Sequence, residues 1–175
     1  MNQKETFLAA LKANEGAIYK IASVYTNAIE DRNDLVQEII YQLWRSFNTF
    51  NQKSSLGTWM YRVALNVAIH HLKKSKRNVR TEPINDDHLT YRDGDKNDEE
   101  EKWKLLKQYV DNLNLLDKGI VILYLGEKSY AEIADIIGIS ESNVGTKISR
   151  IKTKLKQQAL KQSTYGTGRT EKHLE

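Results

Sequence analysis

The sequence predicts an all-α fold of two small helical domains joined by a flexible acidic linker, the second domain containing a helix-turn-helix. Apolar residues recur at helical spacing on both sides of residues 81–101. No stretch alternates apolar and polar residues as a half-buried strand would. Residues 81–98 have few apolar side chains, and they include Pro83, the only proline. We therefore divide the chain into a first domain at 1–80, a linker at 81–101, a second domain at 102–162 and a disordered tail at 163–175.

The composition excludes several classes of protein. The chain has 175 residues and no cysteine, which excludes disulfides, thiolate metal sites and a cysteine nucleophile. Its longest apolar runs, such as Gly119–Gly126, are far shorter than the roughly 20 residues that span a bilayer. The first residues lack the apolar core of a signal peptide. We therefore expect a cytoplasmic protein without membrane insertion.

The charges are segregated along the chain although the net charge is only +4. Lys73–Arg80 holds five basic residues and no acid, whereas Glu82–Glu101 holds nine acids. Residues 141–162 are basic again. Two basic patches on either side of an acidic stretch predict two sites for a polyanion. The alternative is that both patches are ordinary solvated helix faces. A related hypothesis is that the acidic linker masks the basic patches when the protein is free in solution.

Three helices are predicted in the first domain. The first covers Ala13–Ala28, and the second follows a cap at Asp31 or Asn33 and continues to Phe47. A polar loop at 48–55 precedes the third helix, predicted at Leu56–Lys76.

Four helices are predicted in the second domain. The first carries apolar residues from Trp103 to Leu113, and the next covers Asp117–Leu125 and ends on Gly126 as a left-handed cap. The last two cover Tyr130–Ile137 and residues 141–160, and together they contain the helix-turn-helix motif YAEIADIIGISESNVGTKIS at 130–149.

The spacing of small residues in this motif is what a helix-turn-helix requires. Ala134 allows the two helices to cross closely, and Gly138 supplies the positive φ of the turn. Ser140 can cap the second helix.

The second helix of the motif has one buried stripe and one polar, basic surface. Val144, Ile148, Ile151 and Leu155 are predicted to be buried. A DNA-binding helix would insert its polar residues into the major groove, with Arg150 or Lys147 pairing with guanine and Asn143 with adenine. An ordinary three-helix bundle with a basic surface is the alternative. The predicted DNA-binding residues are Asn143, Thr146, Lys147, Ser149, Arg150 and Lys154.

Two blocks in the first domain resemble bacterial RNA polymerase sigma factors. DLVQEIIYQLWR at 34–45 is similar to their polymerase-binding helix, and LGTWMYRVALNVAIHHLKK at 56–74 is similar to their promoter-melting and −10 element helix. Both precede a short linker and a helix-turn-helix, as in the extracytoplasmic-function (ECF) group. One departure is Gly145, which stands where members of that group often carry a basic residue.

The resemblance implies that the protein binds core RNA polymerase and directs it to promoters. The first domain would then bind the polymerase and melt the −10 element, with the loop at 51–57 capturing an extruded base, and the second domain would bind the −35 element. The implied polymerase-binding residues are Asp34, Gln37, Glu38, Trp44 and Arg45. The implied −10 and melting residues are Lys53, Trp59, Arg62, Asn66, Lys73, Lys74 and Arg77. Trp44 and Trp59 have core packing as their alternative role.

The same resemblance implies promoter DNA and an anti-sigma factor as further partners. A stand-alone helix-turn-helix regulator, with the first domain serving for dimerisation, is the alternative function. An enzyme is not predicted, because the sequence has no phosphate-binding loop and no nucleophile with an evident base. No cofactor or metal is expected, since the adjacent His70 and His71 diverge on a helix.

Overall fold

The computed structural model describes residues 2–79 and 98–167, and within these ranges all regular structure is helical. The predicted all-α fold class is confirmed. The first domain contains α1 (Gln3–Tyr25), α2 (Ile29–Ser46), a 3₁₀ turn (Phe47–Thr49) and α3 (Leu56–Val79). The second domain contains α4 (Asp98–Asp111), α5 (Leu115–Leu125), α6 (Tyr130–Ile137) and α7 (Glu141–Thr167).

The first domain is a three-helix bundle in which each helix packs on the other two. Ile21, Leu35 and Met60, one from each helix, are fully buried at its centre. Such aliphatic side chains at helical spacing supply most of the burial that stabilises a small bundle.

The first two helices begin earlier than the sequence predicted. α1 begins at Gln3 because Asn2 and Glu5 form a capping box there, and Phe7 then joins the core. α2 begins at Ile29, so Asp31 and Asn33 lie inside the helix and do not cap it. α3 begins at Leu56 as predicted and extends three residues beyond Lys76 to Val79.

The helix-turn-helix of the second domain has the predicted geometry. Gly138 adopts φ +83°, and its N–H donates to the carbonyl of Ala134 over 2.8 Å. Ser140 caps α7, because its Oγ accepts a hydrogen bond from the Asn143 N–H over 3.2 Å. The predicted left-handed cap at Gly126 is wrong: its φ is −82°, and the left-handed residue after α5 is Glu127, with φ 59°.

The predicted limits of the linker and the tail also differ from the structure. Residues 98–101 belong to α4. Residues 163–167 continue α7. Residues 80–97 of the acidic linker and 168–175 of the tail lie outside the described residues. The masking hypothesis concerns the linker and therefore stays a prediction.

The two domains are packed against each other. The hydroxyl of Tyr25 at the end of α1 reaches the start of α5, where it donates to the carbonyl of Leu115 over 2.7 Å. Gly119 in α5 lies so close to the first domain that a Cβ there would come within 3.2 Å of the Tyr25 hydroxyl and 3.3 Å of Leu65. The absence of a side chain at Gly119 therefore allows α5 to approach α1 and α3 closely.

Candidate DNA and polymerase interfaces

The exposed face of α2 carries all five residues predicted to bind polymerase: Asp34, Gln37, Glu38, Trp44 and Arg45. Trp44 is 46% exposed, and its ring packs edge-on against Phe7, with 5.1 Å between the centroids. Trp44 is therefore neither fully buried nor free of the core. An aromatic ring that is half exposed and fixed by a neighbour has the properties of an interface anchor.

A shallow apolar groove of about 370 Å³ adjoins this face. It lies between α1 and α2 and contains the exposed side chains of Leu8 and Tyr41 beside Trp44. Sequence analysis missed Leu8, whereas the helical spacing already places Tyr41 on the same face as Asp34, Gln37 and Glu38. The two acidic residues Asp34 and Glu38 border the apolar surface on the same helix.

Four of the residues predicted to bind the −10 element lie on one face of α3, called the −10 face below. Arg62, Asn66, Lys73 and Arg77 follow one another in steps of four, seven and four residues, which keeps them aligned on an α-helix. Asn66 and Lys73 are exposed, and the exposed Lys74 extends the basic surface to one side. Cations in line on one helix can follow the phosphates of a nucleic-acid strand.

Trp59 lies at the start of this face and is partly buried. Its ring centroid is 6.2 Å from that of Phe47 and 5.3 Å from that of Phe50. Phe47 is in turn 5.3 Å from Phe7, so aromatic contacts link Trp59 to the Trp44 anchor on α2. The structure thus gives Trp59 a packing role while leaving part of its ring accessible.

The loop before α3 has a defined conformation. Gln52 adopts φ 58°, which an L-residue rarely does. Ser55 closes the loop by accepting the Thr58 N–H over 3.1 Å, and it thereby caps α3. Lys53 lies exposed in this loop, next to the start of the −10 face.

The predicted −35 residues of α7 are exposed, except that Lys147 is half-buried against α5. Its Nζ lies 3.1 Å from Oδ1 of Asp117, a nearly buried carboxylate whose Oδ2 also accepts from the Asn114 amide over 2.8 Å. Lys147 is thus paired within the domain. Asn143, Thr146, Ser149, Arg150 and Lys154 remain at the surface.

The opposite flank of α7 packs against aromatic residues that sequence analysis did not select. The ring of Tyr130, the first residue of α6, lies beside Gly145. Farther along, the Lys152 Nζ lies 4.6 Å above the centroid of the Tyr124 ring. It also donates a hydrogen bond to the Tyr124 hydroxyl over 2.8 Å. This hydrogen bond raises the pKa of Lys152. Gly145 and Lys152 are seven residues apart and therefore lie on one helix face. This spacing is the feature of the sequence from which the second face could have been predicted.

One residue of the −10 face also contacts the helix-turn-helix. Nη2 of Arg62 donates to the main-chain oxygen of Asp135 over 2.6 Å and lies 3.5 Å from its carboxylate. Nearby, the Lys128 ammonium lies 5.0 Å from the centroid of the Tyr61 ring. The edge of the −10 face is therefore part of the contact between the domains.

Comparisons with known proteins identify the family. The model of sigma-70 region 2 matches residues 5–78, and that of sigma-70 region 4 matches residues 104–155. An ECF RNA polymerase sigma-E factor of Haemophilus influenzae is 32% identical over 146 residues, which cover 75% of this chain and 76% of that protein. The chain is a member of the ECF sigma factors. Its function is to direct promoter-specific transcription, and the region 2 match across the first domain favours this over a stand-alone regulator.

Other relatives agree over most of this sigma factor's length. The RNA polymerase sigma factor SigV of Bacillus subtilis is 27% identical over 155 residues, covering 86% of this chain and 91% of that one. Two solved structures share the fold: CnrH in complex with the cytosolic domain of CnrY, and the sigma factor RpoE in complex with the anti-sigma factor NepR from Bartonella quintana. The first has a TM-score of 0.67 at 16% identity and covers 89% of this chain and 88% of that one. The second has a TM-score of 0.64 at 20% identity and covers 88% of this chain and 94% of that one.

The described parts of this sigma factor contain neither a membrane-spanning helix nor a metal site. Over residues 2–79 and 98–167, no helix is both long and apolar enough to cross a membrane. In the same ranges, no three His, Asp or Glu side chains converge in a way that could hold a metal ion.

Proposed function

We propose that this sigma factor uses three separate surfaces in initiation. The α2 face with Asp34, Gln37, Glu38, Trp44 and Arg45 binds core RNA polymerase. The −10 face of α3, with the loop residue Lys53, holds the opened strand, and α7 binds the −35 element. The observation that carries this assignment is the order and separation of the surfaces: an anchor-bearing acidic face and an aligned basic face in region 2, and a helix-turn-helix in region 4.

Docking on polymerase through α2 has a specific physical basis. Trp44 and the groove beside it supply apolar area that a partner can cover, and Asp34 and Glu38 favour a basic partner surface. Most of the binding energy of such an interface comes from a few central residues, aromatic ones above all.

Promoter opening at the −10 face requires that the protein compensate the cost of unpairing and unstacking bases. Arg62, Lys73, Lys74 and Arg77 offer cations to the backbone of the separated strand, while Trp59 offers an aromatic edge. Asn66 lies among them with a free amide for a base edge, and the loop at 51–57 captures the flipped base.

The −35 element is bound by the polar residues of α7. Arg150 and Asn143 supply the side chains suited to guanine and adenine edges, and Lys154 supplies a cation for phosphate. Thr146 and Ser149 lie between them. Lys147 belongs to the same set, and its ion pair with Asp117 orients it in the DNA-free protein.

An anti-sigma factor is a further partner of this protein. Two structures with the same fold were solved as complexes of this kind, one with the cytosolic domain of CnrY and one with NepR. The protein acts in the cytoplasm, where polymerase and promoters are, and carries out no covalent chemistry of its own.

Reconstitution with core polymerase tests the proposal. The purified protein should form a stoichiometric complex with core enzyme and support run-off transcription from a subset of a promoter library. Binding to DNA without any complex with core polymerase would contradict it and support the stand-alone regulator.

A further inference from the structure

Between the two helices of the helix-turn-helix lies a notch that sequence analysis did not assign to any function. It is formed by Gly145 of α7 and Tyr130 of α6. A Cβ built on Gly145 would lie 3.5 Å from Cε2 and 3.8 Å from Cδ2 of the Tyr130 ring. Tyr130 is 37% exposed, so its side chain both contacts α7 and faces solvent.

The notch lies on the side of α7 that approaches DNA. In a helix-turn-helix the first helix crosses the phosphate backbone while the N-terminal half of the second enters the major groove, so both reach the duplex from the same side. Tyr130 is the first residue of α6, and Gly145 lies in the N-terminal half of α7. α5 contacts both flanks of α7, through Asp117 and Lys147 on the far side and through Tyr124 and Lys152 on the side of the notch.

The side chains around the notch are short and contribute little hydrogen-bonding reach. Ser142, Thr146 and Ser149 are the exposed neighbours on this side of α7. The hydroxyl of Thr146 donates to the carbonyl of Ser142 over 3.1 Å, which engages its hydrogen within the helix and leaves its methyl group as an apolar contribution. The surface therefore combines an aromatic ring, a glycine without a side chain and a methyl group.

This surface is complementary to a thymine. The C5-methyl group is the one apolar group that a base pair presents in the major groove, and small or aromatic side chains recognise it. A basic side chain at position 145 would instead favour guanine, whose N7 and O6 accept hydrogen bonds.

We propose that the notch between Gly145 and Tyr130 selects a thymine in the −35 element by contact with its C5-methyl group. The inference rests on the proposed function, since it assumes that α7 enters the −35 major groove. Lys152 lies on the same flank, held over Tyr124.

The experiment begins with the reconstituted holoenzyme and a library of promoters randomised in the −35 region. Run-off products identify the preferred element, which we expect to contain a strongly preferred thymine. Each thymine is then replaced singly by deoxyuridine, which removes only the methyl group. At the position read by the notch, holoenzyme binding should fall about fourfold, as expected from roughly 0.8 kcal/mol for one buried methyl group.

Three variants assign the methyl contact to the notch. Tyr130→Ala should bind the thymine and deoxyuridine promoters equally, while Tyr130→Phe should retain the preference, because only the ring is required. Gly145→Arg, whose Cβ fits at ordinary contact distance, should shift the preferred base from thymine to guanine. Tyr19→Ala, at an exposed tyrosine of the first domain, is the matched control and should leave the preference unchanged.

The outcomes separate this inference from the proposed function. If the holoenzyme initiates at selected promoters but tolerates deoxyuridine at every −35 position, the notch does not select thymine, while the sigma-factor function stands. If Gly145→Arg leaves the base preference unaltered, position 145 does not face the groove and the inference is wrong. If the protein yields no promoter-specific initiation with core polymerase, the proposed function fails and this inference fails with it.

Discussion

The hydroxyl of Tyr25 donates a hydrogen bond to the carbonyl of Leu115 over 2.7 Å, although 90 residues separate them in the sequence. The phenol is buried between the domains, and this burial raises its pKa well above the usual range. The Tyr25–Leu115 bond is thus a neutral contact that fixes the end of α1 to the start of α5.

Tyr25→Phe should therefore loosen the contact between the domains without creating a cavity. We expect a loss of about 1 kcal/mol in the free energy of unfolding, the usual net value of one hydrogen bond. Urea denaturation followed by circular dichroism measures it. Tyr41→Phe is the matched control at an exposed tyrosine. If the free energy of unfolding of Tyr25→Phe equals that of the control variant, the hydrogen bond contributes nothing to stability.

Gly138→Ala should destabilise the second domain, because Gly138 has φ +83°. A residue with a Cβ costs about 1–2 kcal/mol in the left-handed region. Gly16→Ala is the opposite control, since Gly16 lies inside α1 with open space around it. That change should stabilise the protein by up to about 1 kcal/mol. Thermal unfolding of the two variants should move in opposite directions, and shifts of the same sign would refute the argument.

Arg150→Ala and Lys147→Ala should both weaken −35 binding, but they should differ in their effect on the free energy of unfolding. Arg150 is exposed, so its loss should leave unfolding almost unchanged while costing about 1–3 kcal/mol in binding if it contacts a base. Lys147→Ala also leaves the nearly buried Asp117 without its cation, and it should cost about 1–3 kcal/mol in folding. Binding to a panel of −35 duplexes, beside urea titrations, measures both effects. A uniform loss over all sequences would assign Arg150 to phosphate contact.

Asn66→Ala should impair promoter opening more than binding to closed duplex. Asn66 is exposed on the −10 face, so the change removes an amide without disturbing the core. Permanganate reactivity of unpaired thymines reports opening, and a pre-opened bubble template should restore most of the transcription. Asn112→Ala, at an exposed asparagine of the second domain, is the control. Equal defects on duplex and bubble templates would exclude a role in melting.

Trp44→Ala and Asp34→Lys should each weaken binding to core polymerase. Truncating a central aromatic anchor typically costs 2 kcal/mol or more, about thirtyfold in affinity. Trp44 also packs on Phe7, so Asp34→Lys tests the same face without altering the core. Glu15→Lys, an exposed charge reversal on α1, is its control. Competition for core enzyme against unaltered protein gives the affinities, and undiminished affinity of both variants would move the interface away from α2.

The sequence was sufficient to predict features that depend on local chemistry. The periodicity of apolar residues predicted the helices, and the alanine and glycine of the motif predicted the turn at Gly138. Helix starts were less accurate, because the capping box of Asn2 lies outside the apolar pattern that placed the start of α1 at Ala13. Gly126 shows the related limit: a glycine after a helix permits a left-handed cap but does not require one.

Contacts between distant segments could not be predicted in this way. The sequence identified Lys147 as a basic residue on a polar helix surface, but its pairing depends on how α5 packs against α7. The Gly145 notch likewise depends on the angle between α6 and α7, which places Tyr130 beside it. Such pairings require the tertiary arrangement, whereas one-dimensional periodicity reports only which side of a helix is buried.

The contact between Arg62 and Asp135 has a consequence for promoter affinity. Nη2 of Arg62 is engaged by Asp135, so a DNA strand gains the whole guanidinium of the −10 face only when the domains separate there. Both side chains are substantially exposed, 42% and 58%, and the ion pair itself therefore contributes little. The buried contacts around Tyr25 and Gly119 set the larger part of the separation cost.

This cost lowers the affinity of every ligand that binds only the separated form. The apparent dissociation constant rises in inverse proportion to the separated population, so a population of about 1% weakens binding about a hundredfold. A partner that holds the domains apart restores the affinity for DNA, and one that holds them together lowers it further. The strength with which α5 and α6 adhere to the first domain thus sets a threshold on promoter use, independently of any base that the protein reads.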